Sequence, residues 1–135
     1  MTLGRLAGHT AETAGEWARD TLSKPGLVFD MATYKPWHPA TKAEILEKFE
    51  KDVAESRAHL VSLELAKWDD RWTMTAGDQT WIDDTKYNVW RTWVVNHLVH
   101  HRAQLGVYLR MNNVEIPGMY GPSADEKNMF SAQGA

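Results

Sequence analysis

An all-α helical bundle is the fold this sequence predicts, on two observations. Three long segments repeat apolar residues at helical spacing, and the stretches between them carry prolines or a Gly-Asp turn. Helices of this kind bury one stripe each, and the usual closed solution is an up-and-down bundle of four. A chain with three either packs as three or borrows the missing wall from another subunit, so a homodimer is expected. The length of 135 residues fits a single domain, residues 1–135, with a real core.

The first helix is predicted from about Thr2 to Leu22, with Leu3, Leu6, Thr10, Thr13 and Trp17 along one side. Thr2 suits its N-cap, and Lys24-Pro25-Gly26 stops it. Residues 27–39, with Pro36 and Pro39, read as irregular. Thr41 and Glu44 form a capping-box pattern that opens the second helix. Leu46, Phe49, Val53, Leu60, Leu63 and Lys67 follow at bundle spacing, and Glu47, Lys48, Lys51, Glu55 and Arg57 make the solvated face. Thr73, Thr75, Thr80, Trp81 and Ile82 around Gly77-Asp78 could form a short hairpin. The third helix runs from near Thr85 to about Met111 and ends at Asn112-Asn113, where a left-handed residue is tolerated. Residues 131–135 read as a frayed tail.

Composition narrows the chemistry. Apolar content of 43% and charged content of 24% are those of an ordinary soluble protein. A net charge of −3 without a cluster of Lys and Arg predicts no nucleic-acid partner. No stretch approaches the roughly 20 apolar residues of a membrane span, and Met1 to His9 lacks the apolar centre of a signal peptide. There is no cysteine, which excludes thiolate ligands and a thiol nucleophile and fits a cytoplasmic protein. Any metal must be held by His, Asp, Glu or backbone groups. Of seven tryptophans, those from Trp68 to Trp93 concentrate in a short span and predict core, interface or pocket wall.

The third helix carries the strongest chemical signal. Its inward stripe reads Trp90, Val94, His97, His101, Leu105 and Tyr108, so two imidazoles one turn apart occupy positions that should be apolar. Buried ring nitrogens need partners, and one divalent ion can satisfy a nitrogen on each. Antiparallel packing could bring His9 level with the pair as a third ligand. His59 and His100 fit exposed positions, and His38 lies in the Pro-rich loop. Three neutral imidazoles would leave open positions, as in a catalytic site, where a bound water can be acidified or a small thiol activated. Gln104 and Tyr108 lie on or beside the stripe and could support ligands or substrate. Trp81, Trp93 and Tyr120 are the expected pocket lining, and Arg102 should pair with an acidic neighbour.

The run Asn96-His-Leu-Val-His-His-Arg-Ala-Gln-Leu-Gly-Val-Tyr-Leu-Arg110, with residues 120–126, resembles the DinB family of metalloenzymes. Residues 2–12, Thr-Leu-Gly-Arg-Leu-Ala-Gly-His-Thr-Ala-Glu, resemble its first ligand segment, and residues 39–46 are similar as well. The resemblance implies a four-helix bundle, commonly dimeric, with a divalent ion, Zn or Ni, held by His9, His97 and His101. Superfamily relatives include thiol-dependent S-transferases and a thiol-dependent isomerase, which makes transfer of a low-molecular-weight thiol the leading expectation. A metal-dependent hydrolase, a non-catalytic metal-binding stress protein and a Trp-rich interaction module are the competing ones. Two departures stand out. The resemblance leads to the expectation that the family's first helix is absent ahead of residue 2, or its place taken by a partner, and Ala103 stands where Gly is common.

Overall fold

The computed structural model describes residues 1–126, so the expected tail at 131–135 lies outside the described residues. Helix α1 covers residues 3–23: α-helical over Leu3–Glu12, π-helical over Thr13–Trp17 and α-helical again over Ala18–Ser23. Strand β1 (Gly26–Val28) follows, then α2 (Lys42–Ser62), a 3-10 turn (Leu65–Asp69) and the hairpin β2 (Arg71–Ala76) and β3 (Gln79–Thr85). Helix α3 covers residues 86–111, with a π-helical stretch over Trp90–Asn96.

The caps are those the residue types dictate. Thr2 accepts from the Arg5 amide and Thr41 from the Glu44 amide. The Glu44 carboxylate reaches back to the Ala40 amide, closing the box one residue ahead of its usual partner. Helix α3 ends at Asn112, and Asn113 takes the left-handed conformation at φ 59°.

The fold class differs from the all-α bundle expected. Among the described residues there are three long helices, not four, and a three-stranded mixed sheet in the order β1-β2-β3. The expected hairpin is present and is part of this larger layer: β2 and β3 pair antiparallel, and β1 adds in parallel to β2. Gly77, with φ 55°, supplies the left-handed turn residue. One sheet face buries Trp72 and Met74 against Val89, with Leu27, Ile82 and Trp93 around them. An apolar sheet face therefore does work that the bundle reading assigned to helix stripes. A bulge beside Met74 leaves Trp81 without a partner across the ladder.

Helix α1 is the middle element, packed by α2 along one side and α3 along the other. It meets α2 through polar groups, which reverses the expected orientation of that helix. The residues α2 buries are Asp52 and Ser56, while Leu46, Phe49 and Leu60 stay substantially exposed. Gly15 is the cause. A Cβ there would collide with the Asp52 Cβ, so its absence lets the two backbones approach. Asp52 then accepts from Lys48 Nζ at 2.6 Å, and Arg19 Nη1 lies 3.6 Å from it. Helix α2 also stops at Ser62, short of Lys67, because Leu63 is already extended. No helix among the described residues is long and apolar enough to cross a membrane.

Candidate metal centre

The three histidines singled out by sequence meet at one point. His9 comes from α1, and His97 and His101 come from successive turns of α3. His9 Nε2 lies 3.2 Å from His97 Nε2, and His101 Nε2 lies 2.8 Å from the same atom. The candidate ligand atoms all fall within 4.8 Å of one another. Nitrogens bound to one divalent ion at about 2.0–2.1 Å stand about 3.0–3.4 Å apart, so the spacing suits a shared cation. His9 is buried, and the other two are half-buried.

The outer nitrogens sharpen this. The Gln104 side-chain oxygen accepts from His101 Nδ1 at 2.9 Å. Glu12 Oε2 stands 3.5 Å from His9 Nδ1, too long for a full hydrogen bond, and that buried nitrogen has no nearer partner. Both arrangements favour a proton on Nδ1 and a bare lone pair on Nε2. His97 Nε2 then faces two lone pairs with at most one proton of its own. One cation would satisfy all three nitrogens at once, so the residues fit a metal.

Electrostatics point the same way. Burial, then the neighbouring His101, His9 and His100 rings, lower the His97 pKa to about 4. Burial also lowers that of His101 against the opposing Gln104 hydrogen bond. Both rings are therefore neutral near pH 7, as ligation requires. Burial pushes the Glu12 carboxyl up, but the adjacent His9 ring and the Arg5 guanidinium outweigh it and hold the group below its ordinary value. The buried Arg5 guanidinium donates to Glu12 at 2.7 Å, making an Arg-Glu-His chain behind one ligand.

Each helix widens beside its ligands. The π-helical stretch of α1 follows His9, and that of α3 immediately precedes His97. Such segments are frequent at functional sites. They present Trp17 and Trp93, whose rings stack at 4.8 Å and 4°. Both tryptophans pack edge-on against His97. From His9 a cavity of about 450 Å³ extends along Trp17 and Trp93 to Trp72, Phe29, Tyr34 and Trp81.

Other expectations divide. Trp81 and Trp93 line the cavity, but Tyr120 does not; its hydroxyl accepts from Arg102 at 2.8 Å. Arg102 thus meets a phenol where an acid was expected. Gln104 supports a ligand, whereas Tyr108 is half exposed. His38, His59 and His100 are exposed. Sequence reasoning missed Glu12, although a carboxylate one turn after a ligand is a readable signal, and it missed Phe29 and Tyr34 altogether.

Comparison with curated proteins and comparison with solved structures each return no match. The family model of the DinB family matches residues 1–133. With that match across nearly its full length, the chain belongs to the DinB family.

Proposed function

We propose that this protein is a metal-dependent enzyme in which His9, His97 and His101 hold one divalent ion, Zn or Ni, and that it transfers a small thiol to an electrophile. The observation that carries the reading is the set of three Nε2 atoms, with spacings of 3.2 and 2.8 Å about His97, lying next to an aromatic cavity. When bound, the ion would supply Lewis acidity at open positions, lowering the pKa of a thiol or water that reaches it.

The protein's own residues would do the rest. Gln104 holds the His101 ring with Nδ1 protonated, and the Glu12 carboxylate behind His9 favours the same tautomer there, so their Nε2 lone pairs converge. Trp17 and Trp93 cover one side of His97 and exclude water from it. The absence of a carboxylate from the ligand group leaves a bound ion its full positive charge, which favours an anionic partner such as a thiolate. The test is turnover of a generic electrophile with several low-molecular-weight thiols, in metal-loaded and metal-stripped protein. Thiol consumption that depends on the metal is expected. Metal-independent behaviour with every thiol would overturn the reading, and metal-dependent ester hydrolysis alone would shift it to hydrolysis.

A further inference from the structure

We propose that the cavity beside the triad takes a small organic cation, a substituted ammonium compound, held by an aromatic cage of Phe29, Tyr34 and Trp81 with Asp30 as counter-charge. In naming a substrate class for the same site, this rests on the reading above.

The cage is geometric. Phe29 lies 4.8 Å from Tyr34 and 5.4 Å from Trp81 between ring centroids. Trp81 occupies the bulge of β3 and Phe29 follows β1, so two edges of the sheet contribute to one rim. Trp81 and Tyr34 are nearly half exposed and therefore open to an entering ligand. Aromatic faces carry negative potential and attract ammonium groups.

Charge on the lining has one sign. The acidic residues there are Glu16, Asp20 and Asp30, and the lining includes no Lys or Arg. Two of the three are already compensated. Glu16 accepts from Lys48 Nζ at 2.8 Å, and Asp20 accepts from Lys24 Nζ at 2.8 Å. Asp30 accepts from neutral donors, the Ala32 amide and the Thr33 hydroxyl, each at 2.8 Å. These bonds stabilise its ionised form and leave its charge without a cationic partner among the described residues.

Trp72 closes the inner wall of the cavity and is 1% exposed. The volume of about 450 Å³ suits a small molecule. A substituted ammonium group on a small body, as in choline, suits both the rings and the carboxylate.

The test uses an isosteric pair on the full chain without metal: choline, and 3,3-dimethylbutan-1-ol, in which carbon replaces the charged nitrogen. Calorimetry should show choline binding at least about tenfold more tightly than the alcohol. Asp30→Asn keeps the turn's acceptor oxygen and should erase most of that difference. Trp81→Leu should weaken choline as well, while His59→Ala, at an exposed position on α2, should leave its binding unchanged. Equal affinity for the two probes, no binding of choline, or an unaltered preference in Asp30→Asn would overturn the proposal. Because these readouts need no metal, their failure leaves the triad standing, and loss of metal uptake would leave ammonium binding intact.

Discussion

The two flanks of α1 use opposite chemistry to solve the same packing problem. Toward α3 the helix presents His9 and Trp17, which meet imidazoles and a stacked indole. Toward α2 it presents Gly15, Glu16 and Arg19, which meet Asp52, Lys48 and Glu55. The second flank is satisfied by its own ion pairs, each donor having an acceptor. The first leaves three ring nitrogens facing one another with too few protons. A polar cluster that completes itself holds a structure together, and one that does not invites a ligand.

The contrast can be broken most severely at the incomplete flank. His97→Ala or His101→Ala should abolish stoichiometric metal uptake, a loss of at least about 100-fold in affinity, whereas His59→Ala and His100→Ala should retain it. Equal losses in all four would contradict the assignment. Glu12→Gln removes the charge behind His9 and should weaken metal binding by about 10- to 100-fold, with little change in fold content by circular dichroism. Unchanged affinity would reduce Glu12 to a partner of Arg5.

The completed flank should respond in stability alone. Gly15→Ala forces a methyl group against Asp52 and should destabilise the fold by about 2 kcal/mol, measured by denaturant unfolding. Metal stoichiometry in the surviving folded protein should stay at the wild-type value.

The pH dependence without metal probes the incomplete flank in a different way. His97 titrates at about 4 in the folded chain, below the ordinary 6.5. Between those values the unfolded chain binds more protons, so stability is lost as pH falls through that window, and above it the contribution vanishes. The lowered His101 acts in the same sense. The melting temperature of metal-stripped protein should drop between pH 6.5 and 4, and less steeply in His97→Ala. An increase on acidification would contradict the burial of these rings.

Legibility in the sequence followed the same division. Helix caps and the His97–His101 pair could be read because they depend on local rules: Thr2 and Thr41 as caps, Asn113 as a left-handed stop, His97 and His101 one turn apart; His9, on another helix, is assigned through the family resemblance. The orientation of α2 could not, since its apolar stripe promised a buried face. The close approach of its polar side depends on a glycine of another helix, Gly15, and on ion pairs with that helix. Strand β1 has three residues and no alternation, and only its pairing with β2 makes it a strand. Phe29 and Tyr34 were invisible for the same reason, because their positions depend on that pairing.

The most direct test of the central claim is a metal titration of the stripped wild-type protein, followed by X-ray absorption at the bound ion. One Zn or Ni per chain, with three histidine nitrogens in its coordination sphere, is the predicted result. Failure to saturate at one ion, or a coordination sphere lacking imidazole, would contradict the account.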